Sequence, residues 1–308
     1  MKTAIVTCLL SCALASASVA AETVVARVKV QNPSAAPMKG VIVRGTLPVP
    51  RDYDKDVKAL TLRDGDEVLR TQVNVFSTYP GSEKEFPVGR PEVVQLAAKV
   101  DLPANAFKTF DVVELERTPQ YPTAAGRDAL VAWRGREAPF AVEATDCFGN
   151  RYRAAPFRTE SVRSTSGSFV DETVWQTALK HDGEAAVDAP APKAFLHART
   201  YLTRYGGEDF ASLAVMIHNG SIENPNGHVY YRSIRVGIAK PLLAKVWHKS
   251  FSPAAEGAWT EDKDHRWLTC PPPHKDGKVF VMPHGSAAVL RVTVYAPSAQ
   301  KRALQFHE

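Results

Sequence analysis

Cysteine is scarce, with 4 in 308 residues, and two of these (Cys8 and Cys12) fall in the first apolar stretch. A disulfide-dense scaffold is thereby excluded. Beyond that stretch no run is apolar enough to cross a bilayer, so no membrane span is expected. Lysine and arginine are nowhere dense, which removes the electrostatic footprint of a nucleic-acid binder. Helical periodicity is nearly absent; "DETVWQTALK" and "SAQKRALQF" are the only short candidates. There is no glycine-rich phosphate loop and no Gly-x-Ser-x-Gly elbow, so neither a nucleotide site nor serine-hydrolase chemistry is supported. None of the 9 histidines precedes His181. His265, His274 and His284 lie in loop-like segments without the short ligand spacing of a structural zinc site. Surface or loop-packing roles are expected for them, and no metal or cofactor is expected.

The N-terminus is "MKTAIVTCLLSCALASASVAAET": a charged start at Lys2, an apolar run from Ala4 to Leu14, and the small-residue pattern Ser18-Val19-Ala20. This is the pattern of a secretory signal over residues 1–21, which implies a secreted or periplasmic protein. Without it, 37 basic side chains face 33 acidic ones, a mild +4. Cys147 and Cys270 remain. They could pair in an oxidising compartment or stay as two free thiols, and one sequence leaves both open.

What is present is alternation with period two. In "TVVARVKV" the set Val24, Ala26, Val28 and Val30 faces one way, while Arg27 and Lys29 face the other. Asp64-Gly65 sits between two strand-like runs as a hairpin signal. "EVVQLAAKV" and "TFDVVELE" continue the pattern. The expectation is an all-β fold. A weak internal echo suggests two β-modules. "AAKVDLPANAFKTFDVVELE" turns at Leu102-Pro103, "GKVFVMPHGSAAVLRVTVYAP" turns at Met282-Pro283, and each looks like the closing hairpin of a module. The Pro-, Ala- and Gly-rich stretch between Glu116 and Asp128 reads as the linker, giving modules at 22–118 and 125–300.

The stretch "HNGSIENPNGHVYYRS" gathers histidine, asparagine and tyrosine in one short run. Asn224-Pro225-Asn226-Gly227 fits a type I turn, and Gly206-Gly207 suits a two-residue hairpin loop. Taken together, these turns pair Tyr205 with Glu208 and Glu223 with His228. They stack three apolar rows on one face: Leu196, Ile217, Ile234; Ala198, Val215, Val236; Thr200, Leu213, Ile238. The same register puts His228, Tyr230 and Arg232 on the core side beyond those rows, with Asn219, Ser221 and Glu223 as cross-strand neighbours. His197, Arg199, Tyr201 and Tyr205 take the opposite face, flanked by Met216 and Arg235. His228, Tyr230 and Arg232 are the candidate catalytic set, because β-elimination on a uronate needs a group to move the proton and an arginine to neutralise the carboxylate. Asn219, Glu223, His228, Tyr230, Arg232, His197, Arg199 and Tyr201 are the candidate carbohydrate contacts, since aromatic rings stack on sugars and polar groups bond their hydroxyls. A solvated hairpin with ordinary surface aromatics accounts for the same residues without any ligand.

"GVIVRGTLPVPRDY", "LTLRDGDEVLRTQVNVFS" and "PEVVQLAAKVDLPANAFKTFDVV" resemble the N-terminal RIFT-type barrel of exo-rhamnogalacturonan lyase-like proteins. "FAVEATDCFGNRYRA" and "ARTYLTRYGGEDFASLAVMIHNGS" resemble the β-sandwich that follows it. The resemblance implies a RIFT-like barrel followed by a larger β-sandwich. "FPVGRPEVV" departs from the Trp-Asp-Gly-Ser step expected before the fifth strand, and no segment matches the helical α/α-toroid that carries the family's lyase chemistry. No catalytic residue is therefore carried over. The leading expectation is an exported, non-catalytic β-protein that handles polysaccharide, with polysaccharide and a separate catalytic subunit as candidate partners. A small polysaccharide lyase and a surface assembly protein are the alternatives.

Overall fold

The computed structural model describes residues 23–80, 89–119, 140–156, 160–183, 194–220, 227–249, 258–269 and 275–305. The signal stretch, most of the linker, Glu223, His274 and Cys270 lie outside the described residues, and the Cys147–Cys270 pairing with them; Cys147 itself is a free, half-buried thiol. The fold is all-β. Among the described residues no helix is long and apolar enough to cross a membrane.

The strands form two groups that share no sheet. The first comprises β1 (Thr23–Asn32), β2 (Met38–Pro48), β3 (Leu60–Asp64), β4 (Glu67–Val68), β5 (Thr71–Thr78), β6 (Pro91–Leu102) and β7 (Ala106–Glu114). They build one sheet ordered β1-β7-β3-β4 and another ordered β2-β6-β5, which enclose Leu60, Leu62, Val94, Leu96, Phe110 and Val112. The Asp64-Gly65 hairpin forms between β3 and β4, pairing Asp64 with Glu67. Gly65 sits at φ +59 in the first loop position, where a type II′ turn requires a positive φ.

The second group comprises β8 (Phe140–Asp146), β9 (Arg151–Ala154), β10 (Arg163–Thr165), β11 (Val170–His181), β12 (Ala194–Tyr205), β13 (Phe210–His218), β14 (Val229–Ala239), β15 (Leu243–Lys249), β16 (Ala258–Glu261), β17 (His265–Thr269), β18 (Phe280–Met282) and β19 (Ala287–Tyr295). These form one twelve-stranded sheet in the order β15-β19-β13-β12-β11-β9-β8-β14-β17-β16, with β10 on β11 and β18 on β14. The sheet curls until strands far apart in that order share a core. Leu213, Val215 and Ile217 of β13 thus join Ile234, Val236 and Ile238 of β14 in one apolar cluster. A short helix, α1 (Gln300–Gln305), follows β19.

Three details of the expected register are corrected. First, β12 and β13 do pair, but Ala198 meets Ile217 and Thr200 meets Val215, two residues away from the expected partners. Gly207 has φ +76 while Gly206 does not have a positive φ, and the Glu208 amide bonds the Tyr205 carbonyl at 3.2 Å. That is the type II pattern, which splays a hairpin, so residues 206–209 separate β12 from β13 and Arg204·Ala211 is the last pair. Gly206 is also pressed against Ser168, where a Cβ would stand 2.5 Å from its carbonyl oxygen. Second, β13 and β14 are not neighbours: β13 lies between β12 and β19, and β14 between β8 and β17 with β18. Period two dictates which face a side chain takes, not which strand lies beside it. Third, the β14–β8 ladder slips at Arg232, where Tyr231 pairs with Asp146 and Ser233 with Thr145. This bulge flips the alternation, so Val229 and Tyr231 are buried while Tyr230 and Arg232 face out. His228, Tyr230 and Arg232 therefore do not share the face of Ile234, Val236 and Ile238.

The Leu-Pro and Met-Pro steps are likewise corners rather than hairpins. β6 pairs with β2 and β5 while β7 pairs with β1 and β3, and β18 pairs with β14 while β19 pairs with β13 and β15.

The two groups dock through the entry of β11. Gln72 on β5 accepts from the amides of Phe169 and Val170 at 2.7 and 2.9 Å, and its Nε2 donates to the Val170 carbonyl at 2.7 Å. Ile42 and Ala97 pack against Val170, with Phe169 and Tyr205 alongside. Arg302 of α1 bonds the Gly40 carbonyl at 3.1 Å and pairs with Glu208 at 2.9 Å. Gly167 leaves no room for a side chain, because its Cβ would fall 2.0 Å from the Gln72 carboxamide.

Val236, 2% exposed, tolerates no charge. Val236→Asp should abolish the cooperative thermal transition, whereas Tyr230→Ala at an exposed position should leave Tm within a few degrees. A protease site inserted within residues 120–139 should yield, after cleavage, two fragments that still co-elute on gel filtration. Adding Gly167→Val should separate them, and co-elution that survives this change would refute the docking role of Gln72.

Candidate functional site

A cleft of about 460 Å³ opens where the first group meets the outer face of β11, β12, β13 and β19. Its lining includes Arg44, Glu172, Tyr201, Thr203, Tyr205, Ser212, Met216, Val289 and Arg291. The floor follows from alternation. Tyr201, Thr203 and Tyr205 of β12 point outward because Leu202 and Arg204 occupy the other side of the strand. Across the ladder Tyr201 meets Ala214 and Thr203 meets Ser212, and β19 adds Arg291 opposite Ala214 and Val289 opposite Met216. Beta-branched and aromatic residues suit such a pleated, half-buried face.

One end of the cleft is tied by an ion cluster. Buried Glu172 accepts from Arg44 at 3.1 Å through one oxygen and from Arg163 at 2.5 Å through the other. Thr203 Oγ1 lies 3.3 Å from the same Arg44 nitrogen. Arg163 also covers the Phe76 ring of β5, 4.2 Å from its centroid. Both oxygens of the carboxylate are thus engaged, and Arg44 is held as one wall. The Tyr205 hydroxyl shares a 3.0 Å hydrogen bond with Ser212.

Beyond the cleft the same face carries Arg199 over the Tyr201 ring at 5.5 Å. His197 and His218 come next, stacked at 5.6 Å with an interplanar angle of 24°. Burial, then the neighbouring His197 and Arg199, hold the His218 imidazole below its ordinary value.

The other residues picked out by sequence lie elsewhere. His228 is exposed just before β14, and Tyr230 is exposed opposite Val281. Arg232 at the bulge donates from Nε to the Cys147 carbonyl at 3.0 Å. Asn219 is 1% exposed, and its amide group donates to the carbonyls of Gly227 (2.8 Å) and Met282 (2.9 Å). Its place is inside a corner, while Glu223 is outside the described residues. Of the candidates, His197, Arg199 and Tyr201 are brought together, and Tyr201 alone lines the cleft. Arg44, Glu172, Thr203, Ser212 and Arg291 were not singled out by sequence. The odd-numbered parity of Tyr201 pointed to Thr203, but nothing in the sequence pointed to Arg44, 128 residues before Glu172. His265 packs on Trp267 at 5.3 Å, and His284 is exposed in the turn before β19. Among the described residues no group of three or more His, Cys, Asp or Glu could hold a metal ion.

The His218 shift has a stability consequence. The unfolded imidazole takes its proton near pH 6.5, and the folded one only at lower pH. The stability carried by the neutral ring is therefore complete above pH 6.5 and is lost as the pH falls from there toward the folded value. Wild-type Tm should drop between pH 7.5 and 5.5, and His218→Gln should drop less. Equal drops would sink the assignment.

No family model matches the chain, and no curated protein sequence matches it. Among solved structures it is similar to an alpha-mannosidase from Enterococcus faecalis V583, with 10% identity and a TM-score of 0.43, over 91% of this chain and 45% of that one. A protein in the glycosyl hydrolase family 38 from Enterococcus faecalis is similar with 9% identity and a TM-score of 0.40, over 91% and 46%. The chain thus spans less than half the length of either, and at these scores the likeness extends to neither site nor activity.

Proposed function

We propose that this is an exported polysaccharide-binding protein that holds a sugar chain in the cleft without cleaving it. The observation that carries this reading is the make-up of the cleft: two tyrosines, Met216 and Val289 beside the guanidinium groups of Arg44 and Arg291, all mounted on paired strands. Rings and apolar side chains suit the flat faces of pyranose rings, and fixed polar groups set orientation. Strand-borne side chains need little ordering on binding, which favours affinity. The resemblance to the β region of exo-rhamnogalacturonan lyase-like proteins, and the secretory pattern of residues 1–21, point the same way.

A lyase would need a base beside the sugar's acidic hydrogen. Glu172 is committed to two arginines, and the stacked imidazoles lie past Arg199 rather than in the cleft. Tyr201 is the hydroxyl that could move a proton beside Arg291, so turnover is measured directly. Wild type should bind galacturonan oligomers by calorimetry and generate no ultraviolet absorbance of an unsaturated uronate. Tyr201→Ala should weaken binding by at least about tenfold with Tm unchanged. Absence of binding to a panel of acidic and neutral polysaccharides would refute the proposal, and a rising absorbance would replace it with the lyase reading.

A further inference from the structure

The outer face of the β12–β13 ladder runs on past the cleft in a straight series: Thr203·Ser212, Tyr201·Ala214, Arg199·Met216, His197·His218. At about 3.4 Å per residue, the histidine pair lies on the order of 20 Å along the strand from Thr203. All these side chains project to one side. His197, Arg199 and His218 are half-buried, so each is held by its neighbours rather than waving in solvent. His197 Nδ1 and Arg199 Nε are buried atoms without a hydrogen-bond partner. Those two atoms are closed to solvent, whereas the half-buried guanidinium of Arg199 beside two imidazoles is a donor set that suits a carboxylate.

Among the described residues the charge around this group has one sign. On β11 the facing residues are Gln176 and Ala178, opposite Arg199 and His197. β19 contributes Ala287 and Val289, then Arg291 two steps along. Lys245 of β15 lies opposite Thr293, in the row of Ser212 and Thr203 at the other end of the track. The turn before β19 brings His284, adjacent to Gly285, whose amide bonds the Asn219 carbonyl at 2.6 Å. Among the described residues the carboxylate on this face is Glu172, at the far end of the cleft and neutralised by Arg44 and Arg163.

We propose that His197, Arg199 and His218 form a carboxylate subsite at the distal end of a binding track that starts in the cleft, so that the ligand is a uronate-bearing polysaccharide spanning both. This rests on the cleft being a saccharide site. The subsite also makes the grip pH-dependent. At neutral pH Arg199 supplies the charge. His218, held below its ordinary value in the free protein, takes up a proton more readily once a carboxylate lies beside it, while sugar carboxylates, like side-chain carboxylates, remain ionised above about pH 5.

Calorimetry with galacturonate oligomers as free acid and as methyl ester, at pH 7.5 and 5.5, tests this. The two ligands share a backbone and differ in charge. Wild type should bind the acid form at least about tenfold tighter than the ester, with the ratio larger at pH 5.5. Arg199→Gln should collapse that ratio at both pH values, and His218→Gln should remove its growth on acidification. Equal affinity of wild type for the two forms, or a ratio that survives Arg199→Gln, overturns the subsite while the cleft reading stands. Failure of wild type to bind either form overturns the subsite, and the cleft reading falls with it when the panel of acidic and neutral polysaccharides is not bound either.

Discussion

The buried carboxamide of Gln72 decides where the two sheet systems meet. Its oxygen takes two backbone amides and its nitrogen gives to a backbone carbonyl, all within Phe169 and Val170. Removing it would leave those backbone groups buried without partners, a larger penalty than the loss of the bonds themselves. Val170 begins β11, and Glu172 stands two residues later on the outward face. Seating Val170 therefore places Glu172 within reach of Arg44, which turns a flat sheet face into a walled cleft. The walled cleft is a by-product of docking: Arg44 of the first group completes a surface whose other lining residues belong to the second.

A second device recurs in both groups. Asn32, at the end of β1, is fully buried and donates to the carbonyls of Ala36 and Pro103. Asn219, just past β13, donates to Gly227 and Met282. In each case the asparagine sits at or just past the end of a strand paired with the strand after the Pro corner: β1 with β7, and β13 with β19. A corner between sheets exposes carbonyls that no ladder can satisfy, and a buried amide supplies the donors. The echo seen in the sequence between Leu102-Pro103 and Met282-Pro283 thus reflects a shared corner with a shared clamp, although neither step closes a hairpin. It also explains why Asn219 is held away from the cleft despite its place in a histidine-, asparagine- and tyrosine-rich run.

Much of the fold was legible because alternation is a one-residue rule. Leu196, Ala198, Leu213, Val215, Ile217, Ile234, Val236 and Ile238 all take the core face that period two assigns them. The errors arose where a rule needed a partner. A two-residue loop at Gly206-Gly207 was a fair inference from composition, but the conformation there answers to Ser168 and Phe169 packed against it. The bulge at Arg232 leaves no mark in the sequence, since "VYYRSI" alternates as well with it as without. Of the site, the tyrosine-bearing face of β12 could be read; the opposing wall could not.

The sequence by itself determined the all-β character, the face taken by most strand residues, and the Asp64-Gly65 hairpin, because these depend on neighbours a few positions away. Only the tertiary structure decided that β13 runs beside β19 and not β14, that Tyr230 and Arg232 turn outward, and that Arg44 stands across from Glu172 and Tyr201. Those outcomes depend on which sheet edges meet after the chain has curled. The choice is made by burying apolar area and satisfying backbone groups between segments far apart along the chain, and no local pattern encodes it.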